Sequence, residues 1–546
     1  MKTLLCVIGK LENHYIREFV EYHKNIGFTN IVIYDNNDVD GERFEEVIND
    51  YIQNGYVILK NYRGKVKAQV KSYNECYKEF KSEYDWIGFW DIDEFIQLEN
   101  HKTIQEFLSQ EIFNDFFCIR LCWKQYTDNN LIEVVDDDYS VTKRFKEVFS
   151  KDYCLKHKIP FKSFIVSNTQ TKSLVRTNIE NINITSPHVF LPTPTCNAVG
   201  DICNNTKVNI EGLPIWKNAW INHYRFKTLQ EYIDNKMKRG WPTNYKNGGK
   251  NFLNFNFFFR FNALTKEKKQ YIKDNFNYDN TIYVNSFIKR DKYSGDIKPN
   301  NFGDELNFNF LPILFDKEVI PTDVKFLKNY AFLGSILNDE FINSETEIWG
   351  TGIQNINNKL LNKPKKVYAV RGPLTRQYLI RKGVKCPEIY GDPALLLPEV
   401  YNPKIVKKYK IGIIPHWQTK SINKYKILKD KNVLLIDFHN YEKWTDVIDQ
   451  ILSCEYIVSE SLHGLIIAEA YNIPNLWINI DLGNKYDIKF HDFFLSLKAD
   501  RKNAYKITPN VTVKQLLCFL SYYKKGEMVD LELLKKSCPL EIKTRS

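Results

Sequence analysis

Apolar positions in the first 90 residues follow two alternating patterns. Short continuous apolar runs, typical of buried strands, are separated by stretches in which apolar residues recur at helical spacing. In chain order the pattern predicts strand 4–9, helix 13–25, strand 31–34, helix 42–54, strand 57–59, helix 67–80 and strand 86–90. Strands that alternate with helices indicate a parallel sheet, and such sheets bind ligands at the carboxyl ends of their strands.

A second alternating series occupies the carboxyl-terminal half. Its clearest strands are predicted at 367–370, 411–415, 433–438, 456–459 and 474–480. The polar, glycine-containing stretch Asp291–Gly295 is typical of a linker. We therefore expect two α/β domains, at 1–285 and 299–546, joined by a linker at 286–298. The phenylalanine-rich stretch at 240–265 is typical of core or of a seam between domains.

The composition is that of a globular protein. Hydrophobic residues make up 43% and charged residues 26% of the 546 residues, and 23 glycines and 19 prolines are too few for a low-complexity chain. Disordered and fibrous classes are thereby excluded. The net charge of +11 is spread along the chain, which suits anionic small substrates or membrane phosphates and gives no indication of a nucleic-acid partner.

The cysteines and the apolar stretches favour a soluble cytoplasmic protein. Eleven cysteines occur without a CxxC pair, which argues against a zinc cage or a disulfide framework and for a reducing compartment. The apolar run at the amino terminus ends after Gly9 and is too short for an export signal. No stretch has the ~18 uncharged apolar residues of a membrane span, so contact with the inner face of the membrane would be peripheral.

Three carboxylates cluster where the predicted strand at 86–90 ends. Asp91 and Asp93 are two apart on an extended segment, so their side chains point the same way and can share one hard cation. Such a cation can neutralise the diphosphate that leaves a nucleotide sugar. Asp35 closes an earlier strand, where it can meet a nucleoside, and His223 can complete the metal shell. An Asp-x-Asp pair alone is more often a turn or a cap, so its neighbours decide its interpretation.

These residues resemble a known family. Residues 1 to about 280 are similar to glycosyltransferase family 2-like proteins of the GT-A fold, in the group related to family 92 galactosyltransferases. The matching segments are Glu12–Phe19, Tyr22–His23, Tyr34–Asn37, Trp90–Phe95, His223–Tyr224 and Lys236–Gly240. The resemblance implies that Asp91, Asp93 and His223 hold the Mn²⁺ or Mg²⁺ of a nucleotide sugar. It also implies that Asp35 lies beside the nucleoside, whereas it leaves the catalytic base open, with Glu94 as one carboxylate in range.

A second set of polar residues follows strands of the carboxyl-terminal half. The turn at Gly303 and Asp304 can receive an anion on its backbone amides, or Asp304 can simply cap the following helix. Arg371 stands just past an apolar strand, where it can bind a phosphate or carboxylate or pair with an acid in the core. His463 stands at the amino end of a helix, whose field favours the neutral imidazole that can move a proton.

The order of these motifs resembles the polysaccharide pyruvyltransferase family, from Asn301 to beyond Lys489. The matching segments are Phe302–Asp304, Ala369–Pro373, Gly391–Pro393 and Ser459–Gly464. The resemblance implies two GT-B-like Rossmann halves and the transfer of pyruvate from phosphoenolpyruvate onto two hydroxyls of a sugar. No metal cofactor is expected for this domain.

The resemblance also assigns roles to individual residues of the second domain. It implies that Arg371, His463 and Lys489 act in donor binding and catalysis. Gly303 and Asp304 would join Arg371 in holding the anions of the donor. Ser461 departs from the family pattern, because many relatives have arginine before the Leu-His pair or in the serine position.

Together the two resemblances predict a bifunctional enzyme of bacterial surface-polysaccharide assembly, such as capsule or lipopolysaccharide. One domain would transfer a hexose from a nucleotide sugar, with UDP-galactose as a candidate, to a glycan or lipid-linked acceptor, and the other would install a pyruvate ketal. Two alternatives remain. The second domain could be a carbohydrate-binding scaffold beside a single active glycosyltransferase, or a second nucleotide-sugar transferase, because fold alone does not settle function.

Overall fold

The computed structural model describes residues 1–66, 68–180, 182–188, 190, 194–204, 207–237, 255–275, 280–287, 289–290, 297–298, 301–321, 324–416, 418–419, 421–480 and 487–543. Within these residues the chain divides into two compact units, the first ending at Ile272 and the second beginning at Lys273. Residues 238–240 of the family resemblance, 241–254 of the phenylalanine-rich stretch and 291–295 of the predicted linker lie outside the described residues.

The first unit is built on one sheet. Its strands are β1 (Thr3–Gly9), β2 (Asn30–Asp35), β3 (Val57–Asn61), β4 (Trp86–Asp91), β5 (Glu94–Leu98), β6 (Cys118–Gln125), β7 (Thr171–Arg176), β8 (Thr195–Asn197) and β9 (Ala219–His223). They lie in the order β3-β2-β1-β4-β7-β6-β9-β5, with β8 paired to β6. Strands β1 to β4 are parallel, whereas β7 runs antiparallel to β4 and β6, and β9 antiparallel to β5.

Helices cover both faces of this sheet. The helices are α1 (Asn13–Asn25), α2 (Glu45–Gln53), α3 (Ala68–Phe80), α4 (Ile104–Leu108), α5 (Val141–Arg144), α6 (Lys151–Lys156), α7 (Phe161–Asn168), α8 (Leu229–Glu231), α9 (Phe255–Phe259) and α10 (Lys266–Asn275), with a 3-10 turn at Glu111–Phe113 and a π-helical segment at Tyr232–Met237. All seven residues of β1 are buried. Leu5 and Val7 pack with α1, while Leu4 and Cys6 pack with α3, as expected of a central strand that is covered on both sides.

The second unit contains two parallel five-stranded sheets. Its strands are β10 (Thr281–Val284), β11 (Lys289–Arg290), β12 (Ile297–Lys298), β13 (Glu318–Pro321), β14 (Asn329–Ala331), β15 (Thr346–Trp349), β16 (Lys366–Ala369), β17 (Tyr409–Ile414), β18 (Val433–Leu435), β19 (Cys454–Ser459), β20 (Asn475–Asn479) and β21 (Tyr505–Lys506). The strand orders are β13-β10-β14-β15-β16 and β18-β17-β19-β20-β21, and β11 pairs with β12 in an antiparallel ladder.

One apolar core joins the two sheets of this unit. Its helices are α11 (Phe302–Asn309), α12 (Leu311–Phe315), α13 (Pro373–Arg381), α14 (Leu397–Val400), α15 (Trp444–Leu452), α16 (Leu462–Ala470), α17 (Asp487–Ser496), α18 (Val513–Leu520) and α19 (Leu531–Ser537), with 3-10 turns at Pro393–Leu396, Ser421–Lys424 and Lys426–Lys429. Leu306 of α11 and Leu465 of α16 belong to the same buried cluster, and Phe302 packs on Phe438 with ring centroids 5.0 Å apart. The two halves are therefore docked through their helices.

The predicted alternation of strands and helices is confirmed in both units, so the chain is α/β as expected. The assignment of the GT-A and GT-B folds stays a prediction. The domain bounds also stay a prediction; β10 at Thr281–Val284, just before the expected boundary at residue 285, pairs with β13 and β14 in the second unit's first sheet. Sequence periodicity could not reveal this, since an isolated four-residue apolar run suits either neighbour. In the described part of the chain, no helix is long and apolar enough to cross a membrane.

A fully buried ion pair ties α10 to the body of the first unit. Lys268 and Asp128 form a close salt bridge with both side chains at 0% exposure. The Lys268 Nζ also donates to the Ala263 carbonyl at 2.9 Å. Breaking a buried pair leaves an uncompensated charge, which costs more than the pair itself contributes.

We expect Lys268→Met to lower the free energy of unfolding of the first unit by about 3–5 kcal/mol, because Asp128 is left buried without its partner. Scanning calorimetry of the full chain measures this as a lower first transition. Lys266→Met, an exposed lysine on the same helix, is the matched control and should change stability by less than about 0.5 kcal/mol. Equal effects of the two substitutions would contradict the structural role of the pair.

Candidate active sites

Strand ends bring acidic residues together at one edge of the first sheet. Asp35 and Asp91 end β2 and β4, which flank the central strand β1. A two-residue turn that contains Asp93 follows β4, and β5 then begins at Glu94. Because β5 pairs with β9, Glu94 stands directly opposite His223. The structure therefore brings the predicted residues Asp91, Asp93 and His223 to the same edge.

Asp91 is held by side chains of the protein itself. The Lys172 Nζ, on β7, lies 2.9 Å from one Asp91 carboxylate oxygen, and the Gln69 amide donates to the other at 2.7 Å. Lys172 also lies 3.3 Å from Glu94, whose second contact is a hydrogen bond of 2.9 Å from the Asp91 backbone N–H. Asp91 keeps a third of its side chain exposed, so it lies at the rim of the site rather than inside it.

Asp93, Glu94 and His223 form a buried cluster. One ligand atom from each can be chosen so that all three lie within 4.8 Å of one another. The His223 Nε2 is 3.6 Å from Asp93 Oδ1 and 3.9 Å from Glu94 Oε1. Among the described residues, Glu94 Oε1 is buried and has no hydrogen-bond partner. A buried unpartnered carboxylate oxygen beside a second carboxylate and an imidazole nitrogen fits a divalent cation, so these three residues are the best-placed ligands.

The charges of this cluster are strongly perturbed. Burial raises the pKa of Glu94 to about 8, although Lys172 opposes the shift. Burial lowers the pKa of His223 to about 4, which leaves the imidazole neutral and able to bind a metal at neutral pH. Burial also works against ionisation of Asp93, but Lys236, at 2.5 Å, and His223 hold the pKa of Asp93 well below its usual range.

Asp35 has its own partners at the end of β2. The Arg63 Nη1 donates to one carboxylate oxygen at 2.7 Å, and the backbone and side-chain N–H groups of Asn37 donate to the other at 2.9 and 2.8 Å. Only 2% of Asp35 is exposed. In this structure Asp35 therefore fixes the turn after β2, and a contact with a nucleoside stays a prediction.

A cavity of about 190 Å³ lies within the second unit. Residues that follow strands of both parallel sheets line it, as expected for α/β sheets, whose ligands bind beyond the carboxyl ends of the strands. The lining residues that matter for chemistry are Asn301, Asp304, His416, Ser461, His463 and Lys489. Four predicted residues therefore lie together: Gly303, Asp304, His463 and Lys489.

Two helix amino termini contribute to the cavity wall. Asn301 precedes α11 and Ser461 precedes α16, and neither side chain caps its helix. The first-turn amides of a helix and its dipole favour a bound anion. Lys489 adds a cationic group to the same cavity, and His439 lies beside His416 in its wall. The arrangement suits a ligand that carries two anionic groups.

His463 packs against Gly303. A Cβ at Gly303 would lie 1.9 Å from the Nδ1 of His463, so a larger residue cannot occupy this position while the ring stays in place. Burial, and then the charges of Arg371 and Lys489, lower the pKa of His463 to about 3. The neutral imidazole expected from the sequence is present, but burial is its main cause rather than the field of the helix.

Arg371 adopts the alternative in which it pairs with an acid. Its guanidinium is 0% exposed and donates to Asp492 at 3.2 Å, to the Ser335 hydroxyl at 2.7 Å and to the Ile353 carbonyl at 2.7 Å. A Cβ at Gly352 would lie 2.3 Å from the guanidinium carbon. Arg371 thus lies behind the cavity wall formed by Ser335, and direct contact with the donor anions stays a prediction.

Two titratable groups of the cavity have shifted pKa values. Burial raises the pKa of Asp304 to about 6, although Asn301 and Lys489 oppose the shift. Burial lowers the pKa of Lys489 to about 8, with a further contribution from Arg371, while Asp304 acts in the opposite direction. Groups that titrate near neutral pH in one cavity are typical of sites that move protons.

Comparison with protein families identifies both units. The description "Glycosyltransferase family 92" matches residues 3–277, and "Polysaccharide pyruvyl transferase" matches residues 269–481. The chain belongs to glycosyltransferase family 92. Its family 92 domain is followed by a polysaccharide pyruvyl transferase domain, which confirms the predicted fusion of a glycosyltransferase with a pyruvyltransferase.

Individual relatives agree with the two domains of this family 92 chain. An uncharacterized protein of Acanthamoeba polyphaga mimivirus is 33% identical over 41% of the chain and 77% of its own length. A glycosyltransferase family 92 protein of Oryza sativa is 34% identical over 19% of the chain, and the succinoglycan biosynthesis protein ExoV of Rhizobium meliloti is 29% identical over 38% of it. The matches span 18% of the rice protein and 64% of ExoV.

Among solved structures, S. aureus TarS 1-349 in complex with UDP is 14% identical to the family 92 chain. The likeness covers 32% of this chain and 47% of that one, with a TM-score of 0.21, and it is too weak to bear on the site.

Sequence reasoning missed several residues of the family 92 site. Glu94 was expected only as a carboxylate in range, although the three-residue spacing from Asp91 places it at the start of the strand that pairs with His223. Lys172 comes from a segment distant in sequence from the acids, and no local pattern marks it. Lys236 lies in the matching segment Lys236–Gly240, but the resemblance assigned it no role. The signal that was available is the strand pairing, because register fixes which side chains stand opposite each other.

We expect Glu94→Gln to weaken Mn²⁺ binding to the full chain by at least ~10-fold, because it removes a carboxyl group that can ionise and bind the cation. Asp91→Asn should change the affinity by less than ~3-fold, because Asp91 is bound by Lys172 and Gln69. Titration calorimetry with Mn²⁺ alone measures both. A large loss in Asp91→Asn with an unchanged Glu94→Gln would instead restore the ligand set expected from sequence.

Proposed function

We propose that the chain is a bifunctional enzyme of surface-polysaccharide assembly. The family 92 domain, with a GT-A-type arrangement, transfers a hexose from a nucleotide sugar such as UDP-galactose. The second domain, with a GT-B-like pair of halves, transfers pyruvate from phosphoenolpyruvate to a sugar. The observation that carries the proposal is the contrast in charge between the two sites: buried acids at the first, and helix amino termini with Lys489 at the second.

In the family 92 domain, Asp93, Glu94 and His223 would hold Mn²⁺ or Mg²⁺. Such a cation offsets the negative charge that develops on a departing nucleoside diphosphate. Lys172 orients Asp91 and Glu94 by bridging them, which keeps both carboxylates in a fixed position as substrate binds. Lys236 donates a hydrogen bond to Asp93 and brings a positive charge to the same edge of the sheet. There it can bind the phosphates of the nucleotide-sugar donor.

In the second domain, the two anionic groups of phosphoenolpyruvate match the two helix amino termini and Lys489. Asp304, with a pKa near neutral, would be driven to its neutral form by a bound anion and would then donate a hydrogen bond to it. The neutral His463 is placed at the wall of the same cavity and can take the proton of an attacking sugar hydroxyl.

The bonds and protons that change in pyruvyl transfer define what these residues must do. The first sugar hydroxyl adds to the enol carbon, its proton passes to His463, and His463 returns that proton to the methylene carbon, whose double bond is used up in the addition. The second hydroxyl then adds to the same carbon, and the bond from that carbon to the phosphate oxygen breaks. The proton of the second hydroxyl leaves with the phosphate. Two C–O bonds form and one breaks, and the methylene group becomes a methyl group, so the step needs no oxidant or reductant.

We expect the two activities to be lost separately. With nucleotide sugars, Mn²⁺ and lipid-linked acceptors, Asp93→Asn should abolish hexose addition, whereas His463→Gln should abolish only the mass increase of a pyruvate ketal. Intact-mass spectrometry of the acceptors measures both, and each variant is the control for the other. Hexose addition without any phosphoenolpyruvate-dependent mass change would contradict the bifunctional proposal.

Ligand-dependent stability then separates the two alternatives. A carbohydrate-binding scaffold would be stabilised by the acceptor sugar and show no turnover, while a second nucleotide-sugar transferase would be stabilised by the nucleotide sugar and not by phosphoenolpyruvate.

The affinity for phosphoenolpyruvate should fall as the pH rises through about 8, because Lys489 then loses the charge that attracts the donor. We expect the dissociation constant to rise by up to ~10-fold for each pH unit above 8, which is the limit for loss of one proton. Asp304 titrates near pH 6, below this range.

Lys489→Arg is the matched variant for this measurement, because arginine stays charged throughout. Its dissociation constant, measured by titration calorimetry, should stay level from pH 7.5 to about 9.5. A level profile in the unmodified chain would show that Lys489 does not hold the donor.

A further inference from the structure

Two buried polar atoms face each other in the second unit, and neither has a hydrogen-bond partner among the residues that the structure describes. They are the Oδ2 of Asp392 and the Nε2 of His463, which lie 3.9 Å apart. Asp392 is 0% exposed and His463 is 7% exposed. Buried polar atoms are almost always paired, so two that remain unpaired at this distance are natural partners for each other.

The carboxyl group of Asp392 is fixed from behind. Its Oδ1 accepts the backbone N–H of Ala394 at 3.0 Å and so caps the 3-10 turn that follows. The chain is tightly packed next to Asp392, because a Cβ at Gly350 would lie 2.3 Å from the Cδ of Pro393. Oδ2 is therefore the oxygen left to interact, and it points to the Nε2 side of His463.

The imidazole of His463 is oriented from the other side. Its Nδ1 lies against Gly303, which directly precedes the lining residue Asp304, whereas Nε2 is sealed from solvent. Because His463 itself lines the cavity, Nδ1 is the ring nitrogen left to exchange a proton with a ligand there. Nδ1 has a free lone pair only if the hydrogen of the neutral ring is on Nε2.

We propose that Asp392 is a positioning residue for pyruvyl transfer, which fixes the tautomer of His463 by accepting a hydrogen bond from Nε2–H and so leaves Nδ1 as the base that faces the substrate. The proposal rests on the proposed function of the second domain. An approach of about 1 Å between Asp392 and His463 brings the two atoms to hydrogen-bond distance. Asp392 would also neutralise the imidazolium that forms when Nδ1 takes the hydroxyl proton.

The surrounding charges support this pairing. Arg371 and Lys489 both disfavour a positive charge on His463, so a carboxylate at Nε2 is needed to balance them. Burial raises the pKa of Asp392 to about 7, opposed by the Ala394 N–H and Arg371 and increased by Asp304. Below that pH a protonated Asp392 donates to Nε2 and forces the hydrogen of the ring onto Nδ1, which is the inactive tautomer.

The test is the substitution Asp392→Asn in the full chain. Its amide N–H donates to Nε2 and so favours the wrong tautomer, and we expect kcat for pyruvyl transfer to fall by about 10²- to 10⁴-fold, as for other histidines held by a carboxylate. The KM for phosphoenolpyruvate should change by less than ~3-fold, because the anion contacts remain. The decrease of kcat below pH 7 that we expect of the unmodified chain should be absent in Asp392→Asn.

Nitrogen-15 NMR of the chain labelled at its histidines measures the tautomer of His463 and requires no turnover. His463→Gln assigns the signals, and Asp500→Asn, which changes an exposed carboxylate outside the cavity wall, is the matched control. His463 should carry its hydrogen on Nε2 in the unmodified chain and on Nδ1 in Asp392→Asn. An unchanged tautomer, or a kcat within ~3-fold of the original, would overturn the proposal.

A second variant controls for a folding defect in Asp392→Asn. Asp392→Ser keeps a side chain that can cap Ala394 but removes the group that reaches Nε2, so it should lose the Nε2–H tautomer and kcat while unfolding at a normal temperature. If the unmodified chain transfers no pyruvate at all, the proposed function fails, and the tautomer measurement alone decides whether Asp392 positions His463.

Discussion

The first active site depends on a lysine that is removed from water. Lys172 lies on β7 with none of its side chain exposed, between Asp91 and Glu94. Burial of an ammonium group is unfavourable, but the two carboxylates more than compensate, and the pKa of Lys172 is raised rather than lowered. Because β7 pairs antiparallel with β4, the contact of Lys172 with Asp91 and Glu94 adds to the strand pairing where the mixed and parallel halves of the sheet meet and the acids converge.

The two units solve the problem of buried charge in opposite ways. In the first, carboxylates are close together and lysines lie against them, which leaves Glu94 with a raised pKa and one unpaired oxygen. In the second, Arg371 and Lys489 surround a histidine that is kept neutral, and Asp392 and Asp304 have raised pKa values. The divalent cation that we propose would complete the first arrangement, and the anionic donor that we propose would complete the second.

Much of this could be predicted from the sequence. The alternation of apolar runs and helical stretches identifies the two α/β units, and Asp93, His223, Asp304 and His463 are marked by their positions at strand and helix ends. The exact boundary could not be predicted, because the partners of β10 lie on strands later in the chain. Ion pairs between residues far apart in sequence could not be predicted either. Asp392 was recognised only as part of a motif, because its position beside His463 depends on how the two sheets dock.

The contact of Gly303 with His463 has a consequence for how the second domain can evolve. Gly303 belongs to the half built on β10, and His463 to the half built on β17, so neither half contains a complete site. A fragment that ends before β17 would keep Arg371 and Asp392 but would lack both the histidine and Lys489. Loss of either half therefore leaves the proposed site incomplete, and the close contact of Gly303 with His463 constrains the two halves to change together.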